Sequence, residues 1–392
     1  MKKRLFGALA LFEFMAIACS DQQVEDHVNY KFLFDSSPLM IQIDENTVGA
    51  SRKYQLFETD DDVYLAFLND INSSIKVYKL DSLNGPHQTI YFETMDGPNS
   101  INGELYFFEI LDKDSILIMT EFSGGIMFVV NWEGEIKQRI NIPLEENLKT
   151  NYFPALDASA TAFQLEGRKL LFPYSVSSAY SNAKGVAFIY NLEDSTVKYG
   201  NNELSYYSDF DPSHIGGKEF FKVSMTYNEK SKKFLMTRPL DNRVYELNQE
   251  MEVLNSVDVP TKGYEEFKQL RKTKDRYRSN EKEFLYHRYG NSKFSSITYD
   301  KWKNVYYRVM VKGYSKEELD RIVDNGELLY ASFSITVLDE QLNTIYEHHV
   351  ESEEDLSYNE FFVSPKGLSF RYLGPVDEDV MRFKTFGLKD AE

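Results

Sequence analysis

The sequence predicts an all-β protein, a six-bladed β-propeller with four-stranded blades. Three observations carry that expectation. Short alternating strands with turn signals run from about residue 38 to the C-terminus. A strand–turn–strand unit recurs six times. One spare strand is left over at each end of the repeat.

The chain opens with MKKRLFGALALFEFMAIAC (1–19). Lys2, Lys3 and Arg4 form a basic start, and Leu5 to Ala18 an apolar run too short to span a bilayer comfortably. Ala16 and Ala18 precede Cys19, the single cysteine. The segment resembles a bacterial lipoprotein signal, with Cys19 lipidated as the new N-terminus. It departs from the usual pattern in Glu13, inside the apolar run, and in Ala16, where leucine is commonest. One thiol makes no internal disulfide in an oxidising compartment, and an acylated cysteine needs none. The expected division is a signal peptide at 1–18, a flexible tether at 19–30 and one propeller domain at 31–392. The expected location is the cell envelope, as an outer-membrane lipoprotein on the periplasmic side or the cell surface, with the membrane reached through the lipid anchor.

The repeat follows. YLAFLND, SILIMTEF, GIMFVVNW, GVAFIYN, NVYYRVMV and ASFSITVLD are its clearest strands. The unit recurs as IKVYKLDSLNG, IMFVVNWEGEIKQRINI, VAFIYNLEDSTVKY, RVYELNQEMEVLNSVDV and SITVLDEQLNTIYEHHV, with a weaker copy at VMRFKTFGL. In each full copy an Asn, Asp, Gly or Glu turn reverses the strand. Aligned on Tyr78, Val129, Ile189, Tyr245, Val337 and Phe386, the copies lie roughly 50 to 60 residues apart, except for one interval near 90. The excess lies in the charged stretch 261–288, read as a small helical insertion between blades four and five, and in SKEELDRIVDNG (315–326), where Ser315 and Glu318 form a helix-start pattern. The last unit has three evident strands. The strand within PLMIQIDE (38–45) is expected to complete it against 380–388 and so close the ring without exposed edges. A pair of β-sandwiches is the competing arrangement.

YLAFLNDINSSIKVYKLDS and FETMDGPNSINGELYFFEILDKDSILIM resemble a Bacteroidetes lipoprotein family, domain-of-unknown-function family 4221. Gly97-Pro98-Asn99 matches a turn after the first blade of similar six-bladed propellers, and FSSITYDKWKNVYYRV resembles their fifth-blade hairpin. The resemblance implies a lipoprotein and a propeller. It implies no catalytic residues.

The formal net charge is −18, and it falls to about −20 once 1–18 are removed. That balance argues against nucleic acid as a partner, because such binding runs on Lys and Arg. No nucleophile elbow, zincin helix, phosphate loop or dinucleotide fingerprint occurs, and no cofactor is expected. His348 and His349 are adjacent on a strand and face opposite ways, and Asp60-Asp61-Asp62, like Asp209 and Asp211, reads as solvated loop, so no metal site is expected.

The compositional anomaly is 261–288, with nine Lys or Arg against five Asp or Glu. Arg271, Arg276, Arg278 and Arg288, with Tyr277, Tyr286 and His287, suit an anionic or sugar-like ligand. The plainer reading is a solvated insertion packed on a blade edge. Two functions follow. One is a non-enzymatic binding or scaffold module for a glycan, peptide or envelope protein. The other is a propeller-based glycan lyase or hydrolase. Arg, His, Tyr and carboxylates converging at the channel mouth would favour the enzyme, and a featureless channel the binding module.

Overall fold

The computed structural model describes residues 30–390 apart from 35–36, 52, 61, 95–96, 102, 113, 121–125, 143–162, 166–168, 174–185, 201–213, 271–280 and 375–378. Two strands come first, β1 (Tyr30–Phe34) and β2 (Leu39–Gln42). Blade one is β3 (Tyr54–Glu58), β4 (Val63–Asn69), β5 (Ser74–Lys79) and β6 (Gln88–Tyr91). Blade two is β7 (Leu105–Asp112), β8 (Ser115–Thr120), β9 (Ile126–Val130) and β10 (Ile136–Asn141). Blade three is β11 (Phe163–Leu165), β12 (Lys169–Pro173), β13 (Ala187–Asn191) and β14 (Val197–Tyr199). Blade four is β15 (Ser224–Asn228), β16 (Lys233–Thr237), β17 (Arg243–Leu247) and β18 (Val253–Asp258). Helix α1 (Glu281–Gly290) leads into blade five, made of β19 (Lys293–Asp300), β20 (Val305–Val311), β21 (Phe333–Leu338) and β22 (Thr344–Val350), with α2 (Lys316–Asn325) inserted after β20. Blade six is β23 (Leu356–Ser364), β24 (Gly367–Tyr372) and β25 (Val380–Asp390), completed by the N-terminal strands.

Each blade is an antiparallel meander in chain order, and the first strands β15, β19, β23, β3 and β7 neighbour one another around the channel. The burial of each strand follows from its place. Middle strands such as β8, β20 and β21 lie between two flanking blades and are buried on both faces, which is why they read as unbroken apolar runs. The outermost β10 and β18 are mostly exposed and correspondingly polar. Six apolar clusters fill the seams, one between each pair of neighbouring blades.

The turn from third to fourth strand repeats its chemistry. Asn131, Asn248 and Asp339 each accept two backbone N–H groups of their own turn through the side chain. Three residues on, Gly134, Met251 and Leu342 adopt positive φ. Gly134 has no alternative, since a Cβ there would lie 2.2 Å from the Tyr91 carbonyl of blade one. Met251 and Leu342 accept the strained backbone because their side chains plug the seams toward blades three and four.

Closure uses more chain than the repeat alone suggests. β25 pairs with β24 on one side. On the other it pairs first with β2 (Leu39↔Phe383 to Gln42↔Val380) and then with β1 (Tyr30↔Asp390 to Phe34↔Phe386). The strand expected at 38–45 is therefore the second half of an interrupted outer strand.

Buried charge latches several seams. Arg308 of β20, fully buried, donates to the Thr237 hydroxyl and to the carbonyls of Asp241, Asn242, Arg243 and Val259 in blade four, and lies 3.4 Å over the Phe294 ring. Lys53, just before β3, pairs with Glu109 of β7 at 3.0 Å. Arg371 of β24 holds Glu360 of β23 through two bonds and donates to the Gly49 carbonyl of the segment entering blade one.

Two outcomes are expected. Deleting residues 30–42 bares the β25 edge, and calorimetry should show loss of the single cooperative transition, with aggregation. Arg308→Met strands several buried acceptors at once and should cost about 3–5 kcal/mol in urea unfolding. A loss below about 1 kcal/mol would show that the blade-four carbonyls find water instead.

Candidate ligand site at the channel mouth

The first strands of the blades run side by side, so the residues at or just before their starts gather at one end of the channel. There they line a cavity of about 760 Å³. Blade one contributes Val48, Ala50 and Ser51, blade two Tyr106, blade four Glu219 and Lys222, blade five Lys293 to Ser295, and blade six Tyr358 to Glu360, while α1 adds Arg288 and Tyr289. Toward the other end of the channel, Glu58 at the end of β3 accepts from Lys301 Nζ at 2.8 Å and Trp302 Nε1 at 3.1 Å, which joins blade one to blade five past blade six.

One wall of the cavity is basic. Glu219, in a single 3₁₀ turn ahead of β15, pairs with Arg288 Nε at 2.5 Å. Lys222 follows three residues later, and its amine is pushed down to about 7 by burial first and by the Lys293 charge second. Lys293 is also lowered, by burial and by Arg288, against the opposing pull of Glu219. The Arg288 guanidinium stands 5.3 Å from the Tyr289 ring, and burial raises the Tyr358 phenol. Across the cavity Glu360 is engaged by Arg371.

Of the residues singled out in the basic insertion, only Arg288 lines this cavity among the described residues. Arg271, Arg276, Tyr277 and Arg278 lie outside the described residues. Tyr286 donates its hydroxyl to Asp320 of α2, and neighbouring Lys282 pairs with Asp324 at 2.7 Å. The insertion thus spends part of its charge on the second insertion, an acidic helix held by the capping box of Ser315 and Glu318. His287 packs edge-on between Phe220 and Phe267, and burial lowers its imidazole. Cys19 precedes the described residues, and so do residues 1–18, read from the sequence as a signal. Sequence reasoning missed Lys222, Lys293, Glu219, Tyr289 and Tyr358. The signal that could have found them is position, since each lies at or near the opening of a blade's first strand or at the end of the helix before one.

Several other candidates from the sequence have partners of their own. His348 meets the Phe386 ring, and His349, on the opposite face of β22, contacts Ser334 and Glu351. Asp62 pairs with Lys79 at 2.7 Å, while Asp61, Asp209 and Asp211 are outside the described residues. Among the described residues no cluster of three metal-ligating side chains occurs, and no helix is long and apolar enough to cross a membrane.

Comparison with known proteins adds a family and a fold. Residues 29–349 match the family model described as a domain of unknown function, DUF4221. A crystal structure of a DUF4221 member from Bacteroides vulgatus superposes with a TM-score of 0.73 at 18% identity, covering 93% of this chain and 100% of that one. A protein of Bacteroides fragilis described as exported superposes with a TM-score of 0.55 at 11% identity, over 94% of this chain and 98% of that one. No curated protein matches the sequence. With six four-stranded blades in a closed ring and a family match over most of its length, the chain belongs to the DUF4221 family.

Proposed function

We propose that the protein is a binding module of the cell envelope, held to the membrane through a lipid on Cys19, and that its ligand enters the channel mouth. The observation that supports this is the mouth itself. Five blades and α1 converge on one cavity of about 760 Å³ lined by both polar and apolar residues, within the range of small-molecule sites. Among the described residues the mouth carries Arg, Tyr and carboxylates but not His, and His287 packs among aromatic rings at 5.4 and 5.8 Å. Glu219 and Glu360 are each held by an arginine, which disfavours the two-carboxylate chemistry of glycoside hydrolysis.

A second reading, a glycan lyase, draws on Lys222. An amine held near neutrality can take the proton next to a sugar carboxylate as the C–O bond to the leaving sugar breaks and a C=C bond forms, and the resulting ammonium can return that proton to the departing oxygen. Its test is the ultraviolet absorbance of an unsaturated product from uronate polymers. Absence of that product while the polymer still binds leaves the binding module.

Two further outcomes are expected. Cys19→Ala should move the protein from the membrane to the soluble fraction, and a wild-type chain that is already soluble would end the lipoprotein reading. Ala50→Trp should fill the mouth. In a thermal-shift screen of glycans and peptides, the stabilisation that wild type gains from a ligand should vanish in this variant while its unliganded melting temperature stays within a few degrees. Unchanged stabilisation would place binding elsewhere.

A further inference from the structure

Lys222, Lys293 and Arg288 come from three separate elements: the segment before β15, the start of β19 and the end of α1. They meet on one wall of the mouth, in a protein whose net charge is −18. The carboxylate on that wall, Glu219, is engaged with Arg288 at 2.5 Å. Glu360 is engaged with Arg371, and Asp70 lies exposed at the rim. Tyr289 and Tyr358 stand beside the cations. Tyr289 is 38% exposed, so part of its ring is open to a ligand.

We propose that this wall is an anion subsite which takes the carboxylate of an acidic sugar between Lys222, Lys293 and Arg288, with the sugar ring against Tyr289 and Tyr358. The inference rests on the mouth being the ligand site and names what it selects. Two ammonium groups and a guanidinium offer charge-assisted donors to a carboxylate, and aromatic faces suit the apolar face of a pyranose better than a bare ion. The cavity has room for one or two sugar rings.

Linkage supplies a signature. In the empty protein Lys222 is held near pH 7 by burial and by Lys293, with Arg288 and Glu219 adjoining and Tyr358 raised. A bound carboxylate favours the charged ammonium, so the amine's pKa rises on binding. Binding above about pH 7 therefore takes up a proton, and affinity falls by up to about tenfold per pH unit above that point. Stability of the empty protein runs the other way. Its folded-state pKa lies below the unfolded value, so the unfolded chain holds more protons between the two, and stability rises with pH across that window. Lys222→Met should accordingly raise the melting temperature below about pH 7, with the gain shrinking toward pH 10.

The test uses titration calorimetry on the mature chain. The probes are glucuronic and galacturonic acid and their short oligomers, with glucose, galactose and inorganic phosphate as controls. Measurements at pH about 6 and about 8, in two buffers of different ionisation heat, read proton uptake. The uronates should bind, and the neutral sugars and phosphate should bind at least tenfold more weakly. Lys222→Met should abolish both binding and proton uptake, whereas Lys222→Arg should keep binding and lose its pH dependence. Lys293→Gln should weaken binding and move the pH break upward. Equal binding of phosphate and uronate overturns the sugar assignment. Equal binding of neutral and acidic sugars overturns the anion subsite, as does uronate binding that survives Lys222→Met and Lys293→Gln together. If Ala50→Trp abolishes capture of some other ligand while uronates never bind, the mouth remains the site and this inference fails. If Ala50→Trp leaves uronate binding intact, the mouth itself is the wrong place.

Discussion

A ring of six sheets is held by no single sheet, and its last seam must join the two ends of the chain. β25 meets that constraint with eleven residues, pairing with its own blade on one side and with β2 and then β1 on the other. The residues that follow β2 enter the mouth at once. Gly49 receives the Arg371 guanidinium, the Ser51 amide lies 3.4 Å from Glu360, and Ala50 between them lines the cavity. The polar contacts that fasten blade six to blade one thus also build part of the site, so closure and site geometry are coupled. Tyr54 reinforces the same seam, packing against Phe362 and Phe383 one turn of chain later.

Charge is buried in this protein for two different reasons. Arg308 answers backbone carbonyls left over where blade four turns, and Lys53 meets Glu109 across a seam, so each satisfies a structural need. Lys222 differs. It shares its wall with two other cations, and burial opposes its charge. A methionine of similar length would fill the same space at lower cost to stability. Amines whose charge is opposed in this way cluster at functional sites, where a bound anion favours the charged form.

Much of the fold was legible in the sequence. The four strands of blade two follow from ELYFFEILD, SILIMTEF, GIMFVVNW and EIKQRINI, because middle strands buried on both faces read as apolar runs and outer strands as polar ones. The hairpin turns were legible through the side chains of Asn131, Asn248 and Asp339, which make local bonds. β1 was not. Its YKFLF run adjoins a polar stretch of sequence, and the strand that gives it meaning is β25 at the other end of the repeat. Among the described residues the site was legible only at Arg288. Lys222, Lys293 and Tyr358 carry no local motif, and they meet only because the first strands of successive blades start at the same end of the channel.

The described part of the basic insertion divides its charge between two neighbours. Its charge suggests a ligand surface, yet Lys282 and Tyr286 face Asp324 and Asp320 of α2, an acidic helix inserted within blade five. Read together, the two insertions form a partly self-neutralising pair. That pairing has a consequence for the mouth. Tyr286 and Lys282 fix one side of α1, and His287 is wedged between Phe220 and Phe267, with Gly216 so close that a Cβ there would lie 3.1 Å from the imidazole. With two faces held, the next residue has little freedom, and Arg288 is aimed at Glu219. Glu219 itself sits one residue from Phe220, so the aromatic wedge positions both members of the ion pair. Helix α1 thus acts on the mouth by positioning one guanidinium, and its contacts with α2 hold the helix that carries it.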